Sequence, residues 1–433
     1  MCIICFLKEG YQCTLRRSAQ MRSDRFEHTL YRYKNSFLTE FEENLNLLCD
    51  GHDNKKNKII VNALKEIDVK EIDTFINKLL NIYAMWINAE ISDSISEFKN
   101  ILTDYGILTF DETIDNSILF RGRNSKEFIS HWDMFHIPFN KRFFIGNQRY
   151  SLVGQPLLYL ATSPYCVYRE LEKSEDLRIS SFRFKEKYNL KIFNNSNLFY
   201  RYIKNNNDNT SMNVAYNMIE DDTETINFEK YDFKKLLFLM ILSSCCSFQR
   251  RNELKNTSFC EEYVLPQMFA QILKNENFDG IMYTSTKAYY DENTMENEIL
   301  INEIYKNICV FTNYDKDKIK DVTYVYDRNL YEKLLLSAPI IFEQSINEQY
   351  YNPKKSLEIL NSILNKSEIQ GKVNMDILYN INSILILYND IIPENNNNGE
   401  KLFMKAINLH CLLLRNIILN IKEELKEDEL NGK

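Results

Sequence analysis

Helix-breaking residues are concentrated in the middle of this chain, and their placement is the strongest constraint on its fold. The 433 residues include 10 glycines and 7 prolines, fewer glycines than the roughly 7% of an average composition. The first proline is Pro138, so nothing over about the first 115 residues removes a helical hydrogen bond in the way proline does. The scarcity excludes collagen-like and linker-dominated chains, and also a Gly-rich phosphate-binding loop.

The proline-free first part has helical periodicity. Apolar side chains three and four positions apart form one stripe, at Ile72, Phe75, Leu79, Ile82 and Met85. This spacing places them on one face of a helix that packs against a core. We therefore predict that residues 1–115 form an α-helical N-terminal domain.

The middle of the chain mixes short β-like runs with helices. The runs lie at 117–121, 149–153, 157–161, 179–184, 280–283 and 322–326, and the helical candidates at 164–173, 234–248 and 263–276. This mixture predicts an α+β domain over residues 116–335. Helical periodicity returns over residues 345–430, with predicted helices at 354–366, 373–390 and 400–427. The expected fold class is α+β, a central domain flanked by two α-helical domains.

Charge and cysteine usage bound the partners and the compartment. A formal net charge of −8 argues against a nucleic-acid-coating surface, since such surfaces are basic. Residues 8–34 are locally basic and aromatic, which fits a nucleic-acid contact or, the interpretation we favour, a solvated surface. Ten scattered cysteines are typical of reduced thiols in a cytosolic protein.

No segment of the sequence predicts membrane insertion or export. The apolar start of the chain has no basic region before it, unlike a signal peptide. The longest apolar run, 236–242, is far shorter than the ~20 residues that span a bilayer. We therefore expect a cytoplasmic protein with no membrane partner and no specific nucleic-acid partner.

The most informative stretch brings arginines, a tyrosine and a carboxylate into one short unit. Arg121 ends a predicted strand, Arg149 and Tyr159 lie on predicted strands joined by a turn, and Glu170 follows on a helix. Guanidinium groups bind phosphate oxygens in pairs of hydrogen bonds. A carboxylate stabilises the cation that develops when a glycosidic bond breaks. From spacing alone, a structural ion pair explains these residues equally well.

A resemblance to a known family favours the first interpretation. The chain reads Gln148-Arg-Tyr-Ser-x-x-Gly-x-Pro-Leu-Leu-Tyr-Leu-Ala-Thr-Ser, with Glu170 eleven residues after Tyr159. A later segment reads Gly-Ile-Met-Tyr-Thr-Ser285, after a helix that begins Tyr-Val-Leu-Pro-Gln267. Together with an earlier Leu-Phe-Arg, these pieces resemble, in order, the RES domain, which is named after its Arg, Glu and Ser. The match covers roughly residues 116–330.

The resemblance implies an ADP-ribosyltransferase-like fold that takes NAD+ as substrate and breaks its nicotinamide–ribose bond, by hydrolysis or phosphorolysis. It implies that Arg121 and Arg149 hold the diphosphate or the adjoining ribose. It also implies that Tyr159 contacts the nicotinamide half, that Glu170 stabilises the oxocarbenium-like transition state, and that Ser285 holds the ribose or the nicotinamide amide. Some relatives are toxins of toxin–antitoxin pairs, so an antitoxin or regulatory protein is the expected partner.

Two other functions remain open at this point. The same fold could transfer ADP-ribose to a protein or nucleic acid. Alternatively, the chain could be an inactive scaffold that binds partners through its helical domains. The flanking domains could also restrain or trigger the enzyme, since unrestrained NAD+ loss would harm its own cell.

Two weaker patterns involve metal ligands and histidines. Cys2-x-x-Cys5 and Cys49-x-x-His52 could supply four zinc ligands, but about 43 residues separate the pairs. This long spacing favours free cysteines, so we expect no firm metal. His136 and its neighbour His131 could transfer protons or anchor a phosphate, or they could simply pack at the pocket rim.

Overall fold

The structure is a computed structural model. It describes residues 1–114, 117–172, 176–185, 188–199, 203, 232–251, 258–287, 305–341, 362 and 411. The predicted C-terminal helical domain, 345–430, therefore lies outside the described residues except at two positions. No helix in the described part of the chain is long and apolar enough to cross a membrane.

Six helices make up the N-terminal part, as its periodicity predicts. They are α1 (Ile3–Leu7), α2 (Glu9–Ala19), α3 (Phe26–Asn44), α4 (Lys55–Lys65), α5 (Val69–Ile87) and α6 (Ile91–Asp104). Side chains of Asn54 and Asp68 accept backbone N–H groups at the starts of α4 and α5, which satisfies donors that a helix start leaves free. The predicted stripe on α5 is buried from Ile72 to Ile82.

A nine-stranded sheet forms the rest of the described fold. Its strands are β1 (Asp111–Ile114), β2 (Ile118–Asn124), β3 (Leu157–Ala161), β4 (Leu177–Phe184), β5 (Leu190–Asn195), β6 (Gly280–Thr284), β7 (Lys306–Phe311), β8 (Leu334–Leu336) and β9 (Ile340–Ile341). The spatial order is β1-β5-β6-β7-β3-β2-β4-β8, with β9 also paired to β4. Strands β5 and β6 are parallel, and the other paired strands are antiparallel. The protein is thus α+β, as predicted.

Within the described residues, five more helices accompany the sheet. They are α7 (His131–Met134), α8 (Pro164–Glu170), α9 (Phe233–Cys245), α10 (Val264–Asn275) and α11 (Arg328–Glu332). Helix α8 begins immediately after β3. The Ser163 hydroxyl accepts the Cys166 N–H at 3.1 Å, and Pro164 occupies the first turn, where its missing N–H costs nothing.

The sheet is buried on both faces, with residues alternating between two cores. Leu158 and Leu160 on β3 belong to one core, and Leu157 and Tyr159 to the other. The period of two follows from the pleat. The larger core also contains α9, α10 and the N-terminal helices.

Aromatic contacts join the N-terminal helices to the helices on the sheet. Ring centroids lie 4.9 Å apart for Phe75 and Phe238, and 5.9 Å apart for Phe98 and Phe269. The N-terminal helices and the sheet therefore share one hydrophobic core. The domain limits at residues 115 and 335 stay predictions, and residue 115 lies outside the described part.

Two predicted strands are wrong, and both are replaced by structures that side chains hold. Residues 149–153 form only an isolated bridge between Gln148 and Ser151, because the Gln267 amide donates to carbonyls of this loop. Residues 322–326 form a turn, because the Asp321 carboxylate accepts the Thr323 N–H at 2.9 Å. Such local bonds compete with strand pairing.

Candidate active site

A cleft of about 380 Å³ opens beside β2 and β3, within the size range of small-molecule sites. Arg121, Arg149, Tyr159 and Glu170 line this cleft. Ser285 does not line it directly but bonds to Glu170. The structure thus brings the five predicted site residues together.

Strand β2 positions Arg121 as a half-buried cation. Its Nη1 donates to the Tyr159 carbonyl on β3 at 2.9 Å, while its buried Nε has no hydrogen-bond partner among the described residues. Burial, with a smaller contribution from the Arg123 charge, lowers the Arg121 pKa to about 10. The side chain still carries its charge at neutral pH, so it offers an unused donor to an anion in the cleft.

Arg149 is held from three sides. Its Nη1 donates to the Cys246 carbonyl at 2.6 Å, and its Nη2 to the Thr286 hydroxyl at 3.4 Å. Its guanidinium lies 4.9 Å from the centre of the Tyr263 ring, at cation–π distance. Cys246 is the C-cap residue directly after α9, where the helix dipole favours positive charge. The arginine is therefore fixed by α9 rather than by the strand that the sequence predicted.

Glu170 is the last residue of α8 and has an oriented carboxylate. Its Oε1 accepts hydrogen bonds from the Ser285 hydroxyl and the Asn307 amide, both at 2.6 Å. Its Oε2 lies 4.0 Å from the Lys287 ammonium, which also donates to the Glu170 carbonyl at 2.6 Å. The side chain is 31% exposed. One oxygen is anchored, and the carboxylate still reaches solvent from the cleft.

A close approach of α8 to β2 determines where Glu170 lies. A Cβ atom on Gly122 would lie 2.3 Å from a Val167 methyl group and 2.8 Å from Leu177 Cδ1. Such separations are far below contact distance, so only glycine fits at this crossing. The missing side chain lets α8 pack directly on the strand that carries Arg121.

Tyr159 and Ser285 complete the predicted set. The Tyr159 hydroxyl donates to the Ser151 hydroxyl at 3.3 Å, and burial raises its pKa well above the usual value, so it is a neutral phenol. The Ser285 hydroxyl accepts the Lys287 N–H at 3.2 Å while donating to Glu170. In this arrangement the serine positions the carboxylate.

Two site residues, Asn307 and Lys287, are absent from the sequence predictions. Asn307 lies on β7, where its pairing partners are Ala161 on β3 and Tyr283 on β6. The run Lys-Asn-Ile-Cys-Val-Phe that forms β7 was not predicted as a strand. A polar amide at the start of this apolar run was the available signal. Lys287 has no comparable signal.

His136 is a packed histidine with both ring nitrogens in use. Nδ1 lies 2.8 Å from the Ile137 carbonyl, and Nε2 accepts the Asp327 N–H at 2.9 Å. Burial lowers its pKa to about 4, so the ring is neutral at pH 7. His131 lies near Trp132 and Tyr331. The structure supports packing at the rim over proton transfer for His136.

The predicted zinc candidates form a separate cluster in the N-terminal part. The ligand atoms of Cys2, Cys5, Cys49 and His52 all lie within 4.8 Å of one another. The long sequence spacing does not keep the two pairs apart, because the chain folds back between α3 and α4.

Comparison with known proteins finds one informative similarity. The chain is 24% identical over 346 residues to the Bacillus subtilis (strain 168) protein named "Putative toxin YopC", covering 75% of this chain and 71% of that protein. No protein-family model matches, and no solved structure matches. The chain therefore has a distant homologue named as a toxin, and the RES resemblance rests on its motifs alone.

Proposed function

We propose that this protein is an NAD+-consuming enzyme that cleaves the nicotinamide–ribose bond, acting as a toxin or defence effector. One observation carries the proposal: the cleft combines the half-buried Arg121 and the buried Arg149 with a carboxylate that two side chains hold. These charges are complementary to those of a dinucleotide, whose diphosphate is anionic and whose ribose becomes cationic during cleavage. The distant homologue named as a toxin agrees with an effector role.

The carboxylate of Glu170 supplies the negative charge that stabilises the transition state. When nicotinamide leaves, positive charge develops on the ribose ring, and a fixed negative charge beside it lowers the barrier. Because Ser285 and Asn307 hold Oε1, the group needs little reorientation during the reaction. Oε2, paired only with Lys287 at 4.0 Å among the described residues, is the oxygen we assign to the ribose.

The two arginines supply the anion site. Arg121 has an unused Nε donor in a buried position, and a phosphate oxygen would satisfy it. Arg149 is locked by Cys246, Thr286 and Tyr263, so its charge is already in place before the substrate arrives. The acceptor of the ADP-ribose is water or inorganic phosphate.

Transfer to a protein is the second candidate, and one surface favours it. Phe143, Phe144 and Val153 are 74%, 71% and 67% exposed, and they adjoin Ile145, which lines the cleft. Exposed apolar patches of this kind often mark protein interaction sites. A protein acceptor or an antitoxin is the expected partner there.

The test follows free nicotinamide. The purified full chain is incubated with NAD+, with and without phosphate, and the products are separated. We expect nicotinamide release that falls about 100-fold in Glu170→Gln, the scale of losing one charge-stabilising group. Glu127→Gln, at an exposed site outside the cleft, is the matched control. ADP-ribose, or its phosphate ester when phosphate is present, identifies the acceptor.

Other outcomes would decide against the proposal. Label from NAD+ on a protein, with little free ADP-ribose, would indicate a transferase. Turnover in the wild type no higher than in Glu170→Gln would remove the enzyme assignment. Absence of NAD+ binding by calorimetry would favour the inactive scaffold.

A further inference from the structure

The start of the chain and the loop between α3 and α4 meet in a cluster of soft metal ligands. We propose that Cys2, Cys5, Cys49 and His52 bind one Zn²⁺ ion in a tetrahedral Cys3His site. The site lies in the N-terminal helices, apart from the cleft, and it does not depend on the proposed NAD+ chemistry. The following observations carry it.

The six distances among the four ligand atoms match a zinc tetrahedron. The sulfur–sulfur distances are 3.4, 3.5 and 4.0 Å, and the Nδ1 of His52 lies 3.1, 3.4 and 3.5 Å from the three sulfurs. Zinc bonds of about 2.3 Å to sulfur and about 2.0 Å to nitrogen place tetrahedral sulfurs about 3.8 Å apart, and a sulfur and a nitrogen about 3.5 Å apart. The atoms thus surround a space of the right size for one zinc ion.

The sulfurs are not joined to one another. All three sulfur–sulfur distances, 3.4 to 4.0 Å, are far longer than a disulfide bond of about 2.0 Å, and the cysteines are free thiols. Cys2 accepts the Cys5 N–H at 3.4 Å on its sulfur. Such N–H···S bonds support a thiolate ligand and orient it.

Backbone hydrogen bonds hold both ligand pairs in position. The Ile3 N–H donates to the Leu47 carbonyl at 3.1 Å, which ties the chain start to the α3–α4 loop. The His52 N–H donates to the Cys49 carbonyl at 2.8 Å, and the buried Asn57 amide donates to the His52 carbonyl at 3.0 Å. Both ligand pairs are therefore tied to the surrounding backbone by hydrogen bonds.

The ligand set indicates a structural zinc ion rather than a catalytic one. Four protein ligands complete a tetrahedron and leave no position for water or substrate. Thiolates and imidazole suit zinc, whereas magnesium and calcium prefer oxygen. Cys2 and His52 are buried, and Cys49 is exposed, so the site has a closed interior and one open side for entry.

Helix α1 explains what the ion would stabilise. With five residues it is far too short to be stable alone, yet Ile3, Ile4, Phe6 and Leu7 are completely buried in the larger core. The Leu7 carbonyl also accepts the Asn197 amide at 2.6 Å, just beyond β5. A zinc ion would hold this helix against both the N-terminal helices and the sheet.

The experiment measures metal in the purified full chain. The protein is produced without a histidine tag in zinc-supplemented medium and analysed by plasma mass spectrometry. We expect about one zinc ion per chain in the wild type, and the same in the control Cys13→Ala, a buried cysteine outside the cluster. Cys49→Ser, the exposed ligand, should lose most of it, while His52→Cys should retain it.

Cobalt substitution gives a second measurement. Cobalt in place of zinc should produce the visible absorption of tetrahedral cobalt bound to thiolates in the wild type, weakened in Cys49→Ser. A folded wild type with less than about a tenth of a zinc ion per chain and no such absorption would overturn the proposal. Stoichiometric iron or copper, or equal zinc in Cys49→Ser and the wild type, would overturn it as well.

Discussion

Asn307 is a single amide that positions the carboxylate of the candidate site. Its Nδ2 is one of two donors to Glu170 Oε1. Removing it leaves Ser285 alone to orient the group, so we expect Asn307→Ala to slow nicotinamide release about 10- to 100-fold, as when an outer partner of a functional group is removed. The rate at saturating NAD+ should fall more than the apparent affinity.

A charged variant at the same position separates positioning from general damage. In Asn307→Asp, a second carboxylate would lie against Glu170, and like charges raise one pKa of such a pair. The acidic limb of the pH–rate profile should move to higher pH, because the proposed reaction needs a negatively charged carboxylate at Glu170. Asn313→Ala, an exposed asparagine just beyond β7, is the control. An unshifted profile in Asn307→Asp would contradict the assignment.

His136 should make stability depend on mildly acidic pH. Its folded pKa of about 4 lies below the unfolded value of about 6.5, so between these values the unfolded chain binds a proton that the folded chain excludes. Stability therefore falls as pH drops through this window, by on the order of 1–2 kcal/mol between pH 7 and pH 5. Urea unfolding of the wild type and His136→Gln measures this difference.

The variant determines whether the histidine is responsible. His136→Gln can still accept the Asp327 N–H but cannot titrate, so its stability should change less over the same window. An equally steep pH dependence in both proteins would assign the effect to other groups.

At the residue scale, the sequence predicted the convergence of those site residues that lie close together in the chain. Arg121, Tyr159 and Glu170 stand within one stretch, and their convergence followed from it. Asn307 could not be found in this way, because strand pairing from distant parts of the chain brings it to Glu170. Lys287 lies in the turn after β6, also far from Glu170 in the sequence. Arg149 lines the cleft, but its loop was predicted as a strand, because the Gln267 amide that holds this loop lies far away in the sequence.

Among the elements, the crossing of α8 over β2 depends on one missing side chain. A Cβ atom on Gly122 would overlap the Val167 side chain at 2.3 Å, and a β-branched side chain cannot turn away easily. We expect Gly122→Ala to cost about 1–3 kcal/mol, the scale of overpacking, and to displace Glu170. Urea unfolding and nicotinamide release measure the two effects.

A matched control and a rescue variant make this prediction specific. Gly146→Ala places a methyl group where no atom lies within 4 Å, so its stability should stay close to that of the wild type. Val167→Ala in the Gly122→Ala background should recover part of the loss. Equal stability of the two glycine variants would show that α8 adjusts freely.

Elements with strong local signals were predicted well, and weakly marked ones were not. Helix α8 begins at the predicted Ser163–Pro164 cap, and β3 has its predicted limits. Strands β5 and β7 went unpredicted, because their short runs gain stability from neighbours on both sides of the sheet. Residues 322–326 were instead predicted as a strand from their β-like composition. They form a turn, because the Asp321 carboxylate binds the backbone there.

On the scale of the whole molecule, the two tryptophans lie beside the two different cores of the fold. Trp86 lies on α5 and stacks on Phe259 at 5.7 Å between ring centroids, and Trp132 lies on α7 and stacks on Tyr331 at 4.1 Å. They are the only two in the chain. Trp132→Phe therefore leaves Trp86 as a fluorescent probe of the N-terminal helices. Trp86→Phe leaves Trp132 as a probe beside the sheet.

These probes test whether the predicted N-terminal domain unfolds by itself. Because Phe75 and Phe98 pack against helices of the sheet region, exposing one part would expose apolar surface of the other. We expect both probes to report the same urea midpoint, as in a cooperative transition. Phe75→Leu, which weakens the shared core by about 1 kcal/mol, should shift both midpoints equally.

Independent unfolding of the N-terminal helices would give a different result. If the helices before residue 115 were independent, Phe75→Leu would lower the Trp86 midpoint and leave the Trp132 midpoint unchanged. A joint shift would instead mean that the N-terminal helices support the cleft rather than merely cover it. They contact α9 through the Arg16 hydrogen bond to Ser244, two residues before the Cys246 carbonyl that holds Arg149. In that case, loosening these helices should lower the rate of NAD+ turnover rather than raise it.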